Sequence, residues 1–427
     1  MTQPTQPYKG TRDFYPEDQR IQNWLMQKFS KVTESFGYEP YNGPMLEPFD
    51  LYAAKSGEEI VKKQLYHFQD QADRHVAIRP EMTPTLARMV AGKLQELPRP
   101  IRWYSFPNLW RYEQPQRGRL REHWQLNVDI LGGDRDLADA EALAIAVGIF
   151  EEFGARDKIQ IRLNNRALVN HVFREQMKIS DTVSLALSKL LDAKDKMKPE
   201  AFDAGLIALG LDADQRRHLA EFLAADFTTV AQRFDCAGAR EIARIFELAG
   251  SMGYADVLVF DPAIMRGLDY YTGTVFEAYD VSPENRRALF GGGRYDDLIG
   301  LFSKKDALSG MGFGLGDVGM RNFLETHGLL NPPPSVPDLV VTCPEAGLLA
   351  RALDVATKMR ALGFCVLAPT GALSFKQALK QGDRSGSRFV LLMGEEELKQ
   401  DLYILKNMKT GEQTSLRLDQ IASVLGV

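Results

Sequence analysis

The chain has 427 residues, of which 44% are hydrophobic and 26% charged, with a formal net charge of −5 at pH 7. That length holds two or three domains with their own cores, no apolar run is long enough to span a bilayer, and the N-terminal MTQPTQPYKGTRD lacks the charged start and apolar centre of a secretory signal. Mild acidity argues against a general nucleic-acid coat but leaves local phosphate-binding patches open; three cysteines without paired spacing (Cys236, Cys343, Cys365) and six dispersed histidines predict reduced thiols, no structural metal and a cytoplasmic setting.

The first 16 residues are polar. From 17 to 36, Ile21, Trp24, Leu25, Phe29 and Val32 recur at helical spacing, and Gly37 stands at a C-cap position. YEPYNGPMLEPFDLY then reads as an extended segment broken by Pro44 and Pro48, which no helix interior accepts. Residues 58–69 read as the end of a helix running into a strand. HVAIRPEMTPTLARMVAG is a strand feeding a helix that starts near Thr83, ahead of a proline at an N1-like position. Arg79, Pro80 and Glu81 therefore sit at a strand–helix junction.

Residues 107–133, PNLWRYEQPQRGRLREHWQLNVDILGG, read as a strand, a polar loop and a second strand. In the second strand Trp124, Leu126, Val128 and Ile130 alternate with His123, Gln125, Asn127 and Asp129, the period of a strand with one buried face. By the same rule Arg111 and Glu113 share a face, and three arginines fall within the five residues RGRLR of the loop. The hairpin thus offers a floor of carboxylate, amide and guanidinium groups, suited to a small zwitterion and a polyphosphate because arginine forks match carboxylate and phosphate oxygens.

A helix over 137–153 and a strand KIQIRLNN follow. Residues from about 167 to 252 are helical in pattern, with no strand-like run until YADVLVF, which predicts a helical insertion inside an α+β domain. The α+β pattern then resumes: DVLVFDP a strand, MRGLDYYTG a loop, TVFEAYD a strand, FGGGRYDD a turn entering a helix. In LSGMGFGLGDVG, Gly310, Gly312, Gly314 and Gly316 take every second position. On a strand this strips one face of side chains, a pattern tolerated where another group approaches the backbone closely, such as a flat aromatic base. NPPPSVPD, residues 331–338, has four prolines in eight residues and reads as a stiff linker. Beyond it, alternating strands and helices predict a compact α/β domain over 338–427 with a mostly parallel sheet. Its last elements are an LYILKNM/KTGEQ/TSLRL hairpin and a helix.

These motifs, in this order, resemble the histidyl-tRNA synthetases of bacteria, class II aminoacyl-tRNA synthetases, over essentially the whole chain. RYEQPQRGRLREHWQ resembles the second class II motif in its histidine-specific form. MRGLDYYTGTVFE and FGGGRYDD resemble two histidyl-enzyme signatures, GMGFGLG the start of motif 3, and PYNGPMLEP with Pro44 the dimer-forming motif 1. The resemblance implies a six- or seven-stranded antiparallel sheet flanked by helices over 1–330, with the helical insertion, and an anticodon-binding domain over 338–427. It implies ligation of L-histidine to tRNA(His) through a histidyl-adenylate, with ATP and Mg2+, in a cytoplasmic homodimer without membrane contact. The Mg2+ ligands are not assigned.

Residue by residue, the resemblance gives Arg111 the α-phosphate of ATP, Glu113 the adenine amino group, and Arg119 and Arg121 the outer phosphates. His123, Gly314 and Gly316 would border the nucleotide. Glu81, Thr83 and Gln125 would hold the α-amino group of histidine; Asp129 and Tyr271 its imidazole, with Tyr295 behind. Arg266 would sit against the histidine carboxylate and the α-phosphate, and Gln116 would read the extra 5′ guanosine of the tRNA. The chain departs from the family's pattern in three places: Asp129 stands for the usual Glu, His123 for a common Phe, and Asp317–Val318–Gly319 for the Glu-Arg pair of motif 3. Arg321 does not replace that arginine, being about 200° round a helix from Gly319. The competing reading is a non-catalytic, histidine-binding regulatory paralogue of ATP phosphoribosyltransferase, a class that typically lacks the tRNA domain.

Overall fold

The computed structural model describes residues 5–53, 60–194, 197–265, 271–285, 287–296, 300, 302 and 308–426. The chain divides into two compact units, residues 1–332 and 333–427.

In the first unit, α1 (Pro16–Ser35) starts on a proline at its first turn, where a missing N–H costs nothing. Short strands β1 (Glu39–Pro40) and β2 (Leu46–Pro48), α2 (Phe49–Ala53), β3 (His67–Gln69), β4 (His75–Ile78) and α3 (Thr83–Gly92) follow. Next come β5 (Ile101–Ser105), β6 (Asn108–Trp110), β7 (Glu122–Leu131), α4 (Arg135–Glu152) and β8 (Ile159–Asn165). Helices α5 (Arg166–His171), α6 (Asp181–Asp192), α7 (Pro199–Ala208), α8 (Ala213–Ala224), α9 (Phe227–Arg233) and α10 (Ala237–Met252) make the predicted insertion. Strands β9 (Leu258–Phe260), β10 (Thr274–Asp280), β11 (Phe290–Tyr295) and β12 (Gly310–Gly316) and helix α11 (Asp317–Thr326) complete the unit.

The main sheet runs β1-β5-β7-β12-β11-β10-β8-β9, with β6 paired to β7. Its six central strands are antiparallel, as expected, but the edge pairs β1–β5 and β8–β9 are parallel, so the sheet is mixed. One face packs on α4, buried on nearly every side. Leu126, Val128 and Ile130 of β7 and Met311, Phe313 and Leu315 of β12 meet it in the core. FGGGRY is strand β11 rather than the expected turn. Its backbone pairs with β10 on one side and β12 on the other, and Arg294, 1% exposed, points into the core, where it bonds the Asp139 carboxylate and the Arg135 carbonyl.

The second unit contains β13 (Leu339–Val341), α12 (Leu349–Ala361), β14 (Val366–Leu367), α13 (Phe375–Ser385), β15 (Phe389–Leu392), α14 (Glu395–Lys399), β16 (Tyr403–Asn407), β17 (Gln413–Leu416) and α15 (Leu418–Leu425). Its sheet runs β14-β13-β15-β16-β17. The first three strands are parallel and the last two antiparallel, which corrects the mostly parallel expectation: the C-terminal hairpin joins the same sheet.

Candidate active site

The other face of the main sheet is the floor of a cavity of about 1070 Å³. The alternation of β7 places His123, Gln125, Asn127 and Asp129 on this floor. Beside them runs the glycine face of β12, with Gly312 opposite Asp129 and Gly314 opposite Asn127. A side chain is excluded here by the protein's own polar groups. A Cβ on Gly312 would lie 2.3 Å from Asp129 Oδ1 and 2.7 Å from the Val128 carbonyl; one on Gly314 would lie 2.2 Å from Gln125 Nε2. The glycines let Asp129 and Gln125 lean across β12. A Cβ on Gly316 would meet nothing within 4 Å, and only there is the backbone open to an outside group.

Asp129 is 2% exposed. Its Oδ1 accepts a 2.6 Å hydrogen bond from the Tyr295 hydroxyl, while its Oδ2 has no hydrogen-bond partner among the described residues. Burial raises its pKa to about 7, only partly offset by the Tyr295 bond. Gln125 Nε2 donates to Asn127 Oδ1 at 2.7 Å. Glu81 and Thr83 line the same cavity from the β4–α3 junction, and Tyr271 joins them. Arg79 anchors that junction: it is 4% exposed, with Nε on the Asn108 carbonyl at 2.9 Å and Nη1 on the Gly43 carbonyl at 2.8 Å.

The polar hairpin forms the adjoining wall. Arg111, Glu113 and Arg119 line the cavity but lie beyond the end of β6, shorter than the expected strand. Arg111 Nε donates to the Pro80 carbonyl at 2.8 Å, and Arg119 Nη1 to Glu113 Oε2 at 3.3 Å. The loop closes in a tight turn with Gln116 and Arg119 bonded through both backbone N–H groups and Gly118 at φ 81°. His123 is half-buried at the cavity wall, and desolvation, then the charges of Arg111 and Arg12, lower its pKa to about 3; its ring is neutral.

Two predicted residues are not in the cavity. Gln116 is exposed at the loop tip. Arg121 lies outside the cavity lining: its guanidinium lies over the Tyr112 ring, 4.0 Å from the centroid, and donates to the Tyr8 hydroxyl at 2.8 Å. Arg266 lies outside the described residues. Arg321 pairs with Asp18 at 2.8 Å and Glu325 at 3.0 Å, in keeping with its position round the helix. Asp317 bonds Arg12 at 2.7 Å and the Trp124 N–H at 3.0 Å, and Val318 lines the cavity.

Several lining residues escaped the sequence reading. Glu277 is 5% exposed on the floor and accepts from the Tyr279 hydroxyl at 2.5 Å; a carboxylate in mid-strand, beside a run of three glycines, was the available signal. Lys62, Lys63, Arg166 and Lys189 of α6 bring cations to the cavity from distant stretches, and no local pattern marks them.

A mixed sheet with an arginine–glutamate hairpin over a glycine-faced floor, followed by a separate α/β unit, agrees with the arrangement that the resemblance to aminoacyl-tRNA synthetases of the second structural class implies. The family description "Histidyl-tRNA synthetase" matches residues 10–317, and "Anticodon binding domain" matches residues 338–426. The histidine–tRNA ligase of Leptospira biflexa serovar Patoc (strain Patoc 1 / Ames) is 44% identical over 418 residues, 96% of this chain and 94% of its own. In fold, the chain resembles the histidyl-tRNA synthetase of Nostoc sp. PCC 7120, with a TM-score of 0.83, 24% identity and 99% of each chain covered. It also resembles an ATP phosphoribosyltransferase regulatory subunit/histidyl-tRNA synthetase from Bacillus halodurans C, with a TM-score of 0.76, 22% identity, and 92% of this chain and 99% of the other covered. The chain belongs to the histidyl-tRNA synthetase family.

Proposed function

We propose that this chain activates L-histidine with ATP and transfers it to the 3′-terminal adenosine of tRNA(His). The observation that carries the reading is the continuity of the cavity: a buried carboxylate, Asp129, with one oxygen unpartnered among the described residues, shares one space with Arg111, Glu113 and Arg119. The first suits an imidazole N–H, the second a nucleotide.

Glu81, Thr83 and Gln125 hold the α-ammonium group. Asp129 and Tyr271 take the imidazole, and Tyr295 fixes Asp129 from behind. A pocket built to bond both ring nitrogens rejects other amino acids because they leave its buried groups unpaired. Arg111 takes the α-phosphate, Arg119 the outer phosphates and Glu113 the adenine amino group, with the flat ring of His123 and the bare backbone of Gly316 beside the base; Gly314, expected there too, is covered by Gln125. The histidine carboxylate attacks the α-phosphorus, pyrophosphate leaves, and a ribose hydroxyl of the tRNA then displaces AMP. Negative charge grows at the phosphorus, so fixed guanidiniums and alignment supply most of the catalysis; no enzyme nucleophile is needed. Arg266 keeps the role the resemblance gives it, aligning carboxylate and α-phosphate.

Among the described residues no cluster of three or more His, Cys, Asp or Glu could hold a metal. Mg2+ would be brought by the phosphates of ATP and would offset their charge, with one or two carboxylates sufficing as protein ligands; those ligands are not assigned. Residues 1–330 form the catalytic domain, 331–337 the linker and 338–427 the anticodon-binding domain; Gln116 at the loop tip reads the 5′ end of the acceptor stem. ATP and tRNA as substrates support a cytoplasmic location. Exposed Met45, Leu46 and Phe68 around β2 and β3 support a homodimer. Light scattering then gives about twice the 47.9 kDa chain mass, and a purely monomeric species at micromolar concentration contradicts it.

The test is histidine-dependent exchange of pyrophosphate into ATP, with every other amino acid as control, followed by charging of tRNA(His). Exchange with histidine alone supports the proposal. Histidine binding without exchange would turn the reading to the regulatory paralogue.

A further inference from the structure

Three stretches far apart in sequence meet around Arg121. Besides lying over Tyr112, its guanidinium is 5.3 Å from the Tyr8 ring centroid, and Tyr66 closes the group edge-on to Tyr112 at 5.6 Å. Arg121 Nε donates to the Glu113 carbonyl at 3.1 Å, so the same side chain spans the mouth of the arginine loop. The backbone repeats the connection. The Gly10 carbonyl accepts from the Arg121 N–H at 2.9 Å and the Glu122 N–H at 3.2 Å, and the Tyr112 N–H donates to Gln64 at 2.7 Å. Gly10 has φ 88°, and a Cβ there would lie 2.8 Å from Arg121 Cγ, so the contact requires glycine on both counts. Neither Tyr8 nor Arg121 lines the cavity.

We propose that Arg121 and Tyr8 form a latch that positions the arginine loop, holding Glu113 and Arg119 toward the nucleotide, and that neither touches ATP. The assignment rests on the reading of the cavity as an ATP site. The guanidinium is held by two hydrogen bonds and two aromatic faces, and an arginine so engaged has its fork directed away from any phosphate. Loss of the latch frees the loop while leaving the strand-borne histidine pocket in place.

A double-mutant cycle on the full chain tests this. Tyr8→Ala, Arg121→Ala and the double variant are compared for the KM of ATP in histidine-dependent pyrophosphate exchange and for equilibrium binding of L-histidine without ATP. Tyr8 is 52% exposed, so its truncation leaves no core cavity, and thermal unfolding checks each variant. The latch predicts that both single variants raise the ATP KM by on the order of tenfold, the scale of one hydrogen bond to a charged group. It also predicts a double variant no worse than either, and histidine binding unchanged. Arg121→Lys should not rescue, because an ammonium cannot span Glu113 and Tyr8. Three results overturn the proposal. In one, the ATP KM rises in Arg121→Ala but not in Tyr8→Ala, which makes Arg121 a direct phosphate ligand; in another, the two effects add in full; in the third, the ATP KM of every variant matches that of the unmodified chain. Exchange by the unmodified chain tests the ATP reading separately, so the two failures are distinguishable.

Discussion

At the end of the cavity proposed to take histidine the floor side chains stand on β7, with Asp129 and Gln125 leaning over the glycines of β12. At the nucleotide end Arg111, Glu113 and Arg119 lie past the last rung of β6, and what holds them comes from elsewhere: the Pro80 carbonyl, the Gly10 carbonyl, the caged Arg121. The first end is rigid because strand register allows no small adjustment. The second is a loop whose geometry depends on tethers, as suits the proposed site for a nucleotide and then the end of a tRNA.

The largest way to break this comparison is Arg111→Ala. Removing a preorganised donor at the α-phosphate lowers adenylate formation by about 10²–10³-fold, while equilibrium histidine binding, built on the strands, stays within about threefold. Single-turnover adenylate formation beside histidine titration measures both. A parallel loss of histidine affinity would show that the two ends are not independent.

Gly312→Ala strikes the other end. Its Cβ would meet both Asp129 and the Val128 carbonyl, and the backbone neighbour cannot yield as a flexible side chain can. Overpacking of this kind costs about 1–3 kcal/mol of fold stability, and by displacing Asp129 it lowers histidine affinity, with the ATP KM little changed. Calorimetric titration with histidine checks it, and an unaltered affinity means the glycine face is not what seats Asp129.

The same division governs what was legible. The alternation of HWQLNVDI placed Gln125 and Asp129 on the floor because a strand's period is a local property, and the resemblance supplied Tyr271 and Tyr295. The glycine stripe was visible too, but its beneficiary was not: Asp129 and Gln125 fill most of that space, and a base is left only the open backbone at Gly316. The packing of Arg121 against Tyr112 and Tyr8 was not legible, because no local pattern connects Tyr8 to the loop. FGGGRY looked like a turn because three glycines weigh against a strand in local propensity, whereas the ladders with β10 and β12 that make it one are long-range.

Protonation sharpens the contrast. In the folded chain burial holds Asp129 at about 7, against about 3.9 in an unfolded chain. Between these values the folded state carries the extra proton, so stability falls as pH rises from about 4 to 7 and the cost of ionisation is complete above that. Asp129→Asn removes this slope, which urea unfolding at pH 5 and pH 8 detects. Binding follows from the same proton. Below about pH 6.5 Asp129 and free histidine are both protonated, one proton must leave on binding, and the histidine KM climbs toward about tenfold per pH unit. A histidine KM flat from pH 5.5 to 8 would contradict the assigned role of Asp129.

The smallest expected effect belongs to His123 and concerns the nucleotide end. Burial and the neighbouring charges of Arg111 and Arg12 hold its pKa at about 3, so its imidazole is uncharged throughout the range in which Asp129 titrates. It can therefore offer the adenine only a flat ring, and no charge that pH could switch. Losing an aromatic contact costs about 0.5–1.5 kcal/mol, so His123→Ala raises the ATP KM about two- to tenfold. His123→Phe restores it, because stacking needs a ring and not a nitrogen. In the unmodified chain the ATP KM shows no inflection attributable to His123 between pH 5.5 and 8, even as the histidine KM rises on the acid side. Measuring both KM values across that range on one preparation compares the two ends directly. An ATP KM that inflects near neutrality in the unmodified chain but not in His123→Phe would mean that His123 takes a proton when nucleotide binds, and that the base rests on a cation after all.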